Sequence, residues 1–161
     1  MSTCSLVAYD ESVSQESARR APLAEATQVT VVKSVNADRN RLFQALSIGE
    51  YIDAWFVAPG SVPGSTSVAM KPDCFLIWYD LSTGGRERFV GSYKVLRRSK
   101  VQFSWKRDGF QEASSSLVKI RLQGDFGRTT VHLTHVGLSE SEQSWYSQLW
   151  EASLERLAGL F

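Results

Sequence analysis

The last stretch of the chain, SEQSWYSQLWEASLERLAGLF over residues 141–161, constrains the fold more than any other. Tyr146, Leu149, Trp150, Ser153, Leu154, Leu157 and Phe161 recur at three- and four-residue steps. They form one stripe of a helix about five turns long. Glu142, Gln143, Glu151, Glu155 and Arg156 fall mostly outside that stripe. Ser139 or Ser141 can cap the start, and Glu142 follows Ser139 at capping-box spacing. A stripe of this length is stable only against an apolar surface of similar extent.

Residues 67–136 offer that surface as a run of strands and tight turns. Ser67 to Met70 is a brief strand. Cys74 to Tyr79 is apolar on both faces, which predicts cover on both. Ser82-Thr83-Gly84-Gly85 reads as a hairpin turn. Phe89, Gly91, Tyr93 and Val95 share one face of the returning strand, which turns again at Arg97-Arg98-Ser99-Lys100. Val101, Phe103 and Trp105 alternate with Gln102, Ser104 and Lys106. Asp108-Gly109 begins another turn. Val118, Ile120 and Leu122 alternate with Lys119, Arg121 and Gln123, and Gly124 to Gly127 is the last hairpin. Thr129, Val131, Leu133 and His135 then alternate with Thr130, His132 and Thr134.

Ahead of this meander, Thr27 to Val35 reads as a strand. Asp38 caps a short helix over Arg39 to Leu46, and a second runs from Glu50 to Phe56. The loop Ala58 to Ser65 holds Pro59 and Pro63 and reads as a mouth or lid. The order predicts an α+β fold: a curved antiparallel sheet wrapped around a long C-terminal helix, with two short helices after the first strand. Phe89, Tyr93, Phe103, Trp105, Val118, Ile120, Leu122, Val131 and Leu133 are placed on the concave face. Trp55, Phe56, Phe75, Ile77, Tyr79, His135, Trp150, Leu154 and Leu157 complete the candidate lining of a site between sheet and helix. These rings either fill the core or border an apolar pocket for a small ligand.

With 161 residues the chain is read as one domain over 27–161, preceded by a flexible tail over 1–26. The alternative for the tail is a segment that docks through Leu6, Val7 and Tyr9. A net charge of +1 and a pI near 7.8 argue against nucleic acid and membrane surfaces as partners. No apolar run approaches the ~20 residues that span a bilayer, so no membrane insertion is expected. The N-terminal sequence lacks a basic stretch ahead of an apolar run, so no secretory signal is expected. Cys4 and Cys74 read as free thiols of a reducing, cytoplasmic setting.

His135 is the residue most open to a chemical role. Facing inward beside the final helix, it can be an acid, a base or a donor to a ligand. Equally, it can be a structural imidazole satisfied by its neighbours. His132 faces the other way, so the two do not form a metal pair; no metal and no cofactor is expected. Tyr79, Tyr93 and Trp105 offer polar tips on an apolar wall or simply pack. Arg86-Glu87-Arg88 and Arg97-Arg98-Ser99-Lys100 read as solvated hairpin ends. The other reading of these runs is a basic rim for an anionic ligand. There is no phosphate loop, no nucleophile elbow and no buried pair of carboxylates. No catalytic residue is assigned.

Ala54-Trp55-Phe56 followed by Pro59 resembles a Trp-aromatic-x-x-Pro stretch. Gly91 to Val95 with Val101 to Trp105 resembles a central hairpin. Thr129 to Leu138 resembles a last strand with its His before the turn, and Trp150 and Leu154 occupy the matching places of a final helix. In this order they resemble the START-like, helix-grip superfamily (SRPBCC). Within it they resemble the family named for homologues of the activator of heat-shock-protein-90 ATPase. The chain departs from that pattern at Arg97-Arg98-Ser99, where the family's hairpin carries prolines. The resemblance implies a hydrophobic cavity between sheet and C-terminal helix. Relatives include lipid and hormone carriers, polyketide cyclases and aromatases, and ring-hydroxylase subunits. The function expected is therefore binding of a small hydrophobic ligand. The alternative is a co-chaperone-like module with a protein partner, followed by a cyclase- or aromatase-type enzyme.

Overall fold

The computed structural model describes residues 27–107 and 115–161. The readings made for residues 1–26, including Cys4, Leu6, Val7 and Tyr9, and for the Asp108-Gly109 turn lie outside them. The elements are β1 (Gln28–Val35), α1 (Arg39–Ser47), α2 (Gly49–Trp55), β2 (Ser67–Met70), β3 (Cys74–Asp80), β4 (Arg86–Arg97), β5 (Lys100–Arg107), β6 (Ser116–Asp125), β7 (Arg128–Val136) and α3 (Glu140–Gly159). The strands form one antiparallel sheet of order β1-β7-β6-β5-β4-β3-β2. Each strand from β2 to β7 lies beside its sequence neighbour, and β1 closes on β7.

Period-two alternation sets the sheet's two faces. β7 shows it most cleanly: Thr129, Val131, Leu133 and His135 are buried, and the residues between them are only half-buried. The stripe of α3 covers the buried face with Tyr146, Leu149, Trp150, Ser153, Leu154 and Leu157. Each apolar side chain so buried contributes roughly 1.5–3 kcal/mol. The capping box forms as the spacing predicts: the Ser139 backbone N–H donates to the Glu142 carboxylate at 2.9 Å. At the other end Lys33 of β1 pairs with Glu155.

The two short helices are tied to this frame by side-chain bonds. The Trp55 indole N–H donates to the Ala45 carbonyl at 2.7 Å. Ser153 of α3 both accepts from the Val57 N–H (3.0 Å) and donates to the Val57 carbonyl (3.1 Å). The loop after α2, read from composition as a lid, is laced to the end of β3. Val62 N–H donates to the Asp80 carbonyl at 2.9 Å, and Asp80 N–H donates to the Ser65 hydroxyl at 3.0 Å.

One glycine is required by packing. Gly91 faces the core between Phe89 and Tyr93, and the Phe75 ring lies over its Cα. A Cβ there would stand 2.2 Å from that ring. Gly91→Ala is expected to destabilise by about 1–3 kcal/mol, because the ring must leave its rotamer or the strands must separate. A urea titration reads this as a lower midpoint.

Cys74 is corrected. It is disulfide-bonded, and among the described residues no cysteine is free. Its side chain alternates with the inward Phe75, Ile77 and Tyr79, so it lies on the outer face of β3, and the expected free thiol is not found. The inference of a reducing compartment loses that support. No helix among the described residues is long and apolar enough to cross a membrane.

Candidate functional site

The concave face is a continuous wall of rings with Trp105 at its centre. Phe89 stacks on Trp105 at 4.8 Å between centroids, and Trp150 of α3 meets it edge-on at 5.5 Å. Phe56 lies 5.9 Å away, Phe103 6.0 Å and Phe75 6.3 Å. Tyr79 stacks on Phe89 at 6.1 Å, and Tyr93 contacts Phe75 at 5.2 Å. Offset and edge-to-face pairs of this kind add to the stability that burial alone gives. The aliphatic side of the wall is Val118, Ile120 and Leu122 of β6 with Val131 and Leu133 of β7, all buried. Ile77, Trp55, Leu154 and Leu157 are buried in the same cluster. The residues named for the lining thus pack in or against one core, with His135 buried among them. Among them only Tyr93 is half-buried rather than buried, and it stands where β4 carries a bulge.

His135 sits inside this wall with both ring nitrogens engaged. The Trp150 indole N–H donates to Nδ1 at 3.0 Å. Nδ1 therefore accepts, and the single proton of the neutral ring sits on Nε2, 2.7 Å from the Ser116 hydroxyl. Ser116 in turn donates to the Trp105 carbonyl at 3.2 Å, and the Trp105 indole donates to the Tyr146 hydroxyl at 3.2 Å. Burial pushes the His135 pKa down to about 3. A second proton would set Nδ1–H against the indole N–H, donor against donor. Of the two readings open for His135, the geometry is that of a structural imidazole joining β7, β6 and α3. Burial likewise pushes Tyr93 and Tyr146 up to about 12, and Tyr79 upward as well, so these phenols stay protonated.

The polar feature of the wall lies at its other end. Glu87 accepts from Arg107 at 2.6 Å and from the Tyr79 hydroxyl at 3.1 Å. Arg107 lies over the rings of Trp145 (5.3 Å) and Phe89 (5.9 Å). Side-chain exposure is 14% for Glu87 and 32% for Arg107, so this is a partly buried pair. Reading Arg86-Glu87-Arg88 as a solvated run holds for its two arginines and fails for Glu87. The signal was present: Glu87 precedes Phe89 by two and Arg107 follows Trp105 by two, so both share the inward parity. Trp145 escaped because it lies beside the helix stripe. Glu87→Gln is expected to cost about 1–2 kcal/mol, since it weakens the bonds to both Tyr79 and Arg107. Thermal denaturation of the variant tests this.

Among the described residues no three His, Cys, Asp or Glu side chains gather where they could hold a metal ion. A groove of about 340 Å³ lies on the opposite face, lined by Ala69, Leu76, Trp78, Arg86 and Arg88.

A curved antiparallel sheet closed over a long C-terminal helix, with an aromatic interior and two short helices after the first strand, defines a helix-grip α+β domain. Residues 36–161 match the family described as Activator of Hsp90 ATPase homolog 1-like protein. The chain belongs to that family. It is similar in fold to protein CV1439 from Chromobacterium violaceum, with a TM-score of 0.72, 15% identity, and 83% of this chain and 96% of that one covered. The AHSA1 protein from Silicibacter pomeroyi is similar at a TM-score of 0.67 and 17% identity, over 82% and 95% of the two chains. DynU16, a protein in the dynemicin biosynthetic locus, aligns with a TM-score of 0.56 and 19% identity, over 83% of this chain and 46% of that one. At these identities the likenesses show the fold. No curated protein matches the sequence.

Proposed function

We propose that the protein binds a small apolar or amphipathic molecule against the ring wall between the sheet and α3. Its polar end meets Glu87, Arg107 and Tyr79. One observation carries this reading: a partly buried ion pair, joined by a phenol, stands at the rim of an otherwise apolar, aromatic wall. Apolar sites that hold small ligands are built this way, with few polar groups placed to orient the guest. As a stability device the pair is a poor choice, because desolvation offsets much of its attraction. Trp145, half-buried beside Phe89 at 6.2 Å, is the ring whose rotation admits the ligand.

Native mass spectrometry of the protein from its host, followed by a thermal-shift panel, tests the proposal. Fatty acids, sterols and aromatic polyketides form the panel. A true ligand at a hundred times its Kd stabilises by about 2.7 kcal/mol, so the melting temperature must climb with concentration. Arg107→Gln is expected to weaken binding of ligands with an acidic or carbonyl end by about tenfold, while aliphatic binding changes little. No adduct and no shift across the panel overturns the reading and leaves contact with a protein partner as the better one.

A further inference from the structure

The β6–β7 hairpin ends in a turn that the fold alone does not explain. Asp125 and Arg128 are the last pair of its ladder, so Phe126 and Gly127 are the two central residues. Both have positive φ, 52° and 87°. That is the pattern of a type I′ turn, whose first central position favours Asn, Asp or Gly. A Phe there carries backbone strain. The ring gains no packing in return: Phe126 is 95% exposed. Charge is also arranged against the fold at this end of the sheet. Arg97 of β4 is in register with Lys100 of β5, and Lys100 with Arg121 of β6. Lys100 and Arg121 alternate with the buried Val101, Ile120 and Leu122, so the row lies on the outer face. Like charges directly opposite one another across strands repel. Among the described residues no carboxylate pairs with any of the three. The Leu122 N–H donates to the Ser99 carbonyl at 3.0 Å, which seats the β4–β5 turn, with Arg98, just behind the hairpin tip.

We propose that this end of the sheet docks on an anionic lipid bilayer, with Phe126 entering the interface and the basic row facing lipid phosphates. Such a surface removes both costs at once, because it buries the ring and neutralises the row. Arg121 stands five residues behind Phe126, about 16 Å along the strand. With the ring roughly 5–10 Å deep, the row comes within about a Debye length of the phosphates. Nucleic acid is disfavoured, since single-strand sites line a groove with several rings and this tip offers one. An acidic protein needs a pocket to receive a ring on a convex tip, whereas lipid accepts it without one. The net charge of +1 argues against a membrane partner only as a sum over the chain. It does not register this segregation of charge. The Glu87–Arg107 rim lies at the opposite ends of β4 and β5, so the docking surface is independent of the ligand site.

Co-sedimentation of the full chain with vesicles tests the docking. The expected result is binding to phosphatidylcholine vesicles that carry phosphatidylglycerol, little binding to phosphatidylcholine alone, and loss of binding as salt is raised. Phe126→Asn places a residue the turn favours, so its melting temperature should equal or exceed that of the wild type. Its vesicle binding should nevertheless weaken by about tenfold or more, the scale expected for an apolar side chain withdrawn from lipid. Arg97→Gln combined with Arg121→Gln should likewise weaken binding by about tenfold or more, since each cation near a charged surface contributes several-fold. The melting temperature of this double variant should not fall, because the substitutions relieve repulsion. No binding to the anionic vesicles overturns the proposal, as does equal binding to neutral ones. Binding that Phe126→Asn leaves unchanged also overturns it. If poly-glutamate then displaces the vesicles, the row is a site for an acidic protein instead.

Discussion

Trp105→Ala is expected to lower stability by about 3–5 kcal/mol, seen in urea as a shifted midpoint with little change of slope. The reason is that Trp105 has neighbours on every side. Its ring meets Phe56, Phe75, Phe89, Phe103, Trp150 and the imidazole of His135. Its N–H serves the buried Tyr146 hydroxyl, and its carbonyl receives the Ser116 hydroxyl. Removing the indole opens a void among stiff aromatic rings that cannot collapse far, and Tyr146 loses its donor where water does not reach. Trp105→Phe is the informative companion. It keeps most of the apolar contact and drops the hydrogen bond, so its expected cost is about 1–2 kcal/mol. If Trp105→Ala costs less than about 2 kcal/mol, open volume already lies beside the ring, and the proposed ligand seat then reaches the centre of the wall instead of staying at its Glu87–Arg107 end.

The same residues show what the sequence made legible. Alternation in β5, β6 and β7 puts Phe103, Trp105, Val118, Ile120, Leu122, Val131 and Leu133 on the buried face, because a period of two leaves no choice of face once one face is buried. The stripe of α3 was equally plain, and the Ser139–Glu142 capping box followed from spacing alone. Glu87 and Arg107 were misread or passed over for a different reason. Charged residues are usually solvated, and parity alone does not mark a charged side chain as buried. Their pairing joins positions twenty residues apart across β4 and β5, which only register reveals. His135 was placed on the right face, yet its role stayed open until its partners were known. Ser116 and Trp150 lie on two other elements, and no local pattern couples them to it. Cys74 was legible as a strand residue, whereas nothing local to β3 marks it as disulfide-bonded.

His135 also makes stability depend on acidity, and here the sign decides the test. Its pKa is about 3 in the folded protein and about 6.5 in the unfolded chain. Between those values the unfolded chain binds more protons, so stability is complete above about pH 6.5 and falls as pH drops. By pH 4.5 the loss is about 2.7 kcal/mol, before most carboxylates protonate. The groups facing the imidazole are Trp105, Tyr146, Trp150 and Ser116, and none of them titrates in that window. His135→Gln separates this effect from general acid unfolding. The amide can accept from the Trp150 indole and donate to Ser116, so a loss of only about 1–3 kcal/mol is expected at pH 7. Having no proton to gain, the variant should keep a flatter profile between pH 6.5 and 4.5. Urea midpoints across that range should show the wild type starting above the variant and converging on it. Parallel profiles would mean that the imidazole takes up a proton in place, either because water reaches it or because the Trp150 indole swings away. In that case His135 is a group that acid can charge inside the wall, and its reading as a purely structural residue fails.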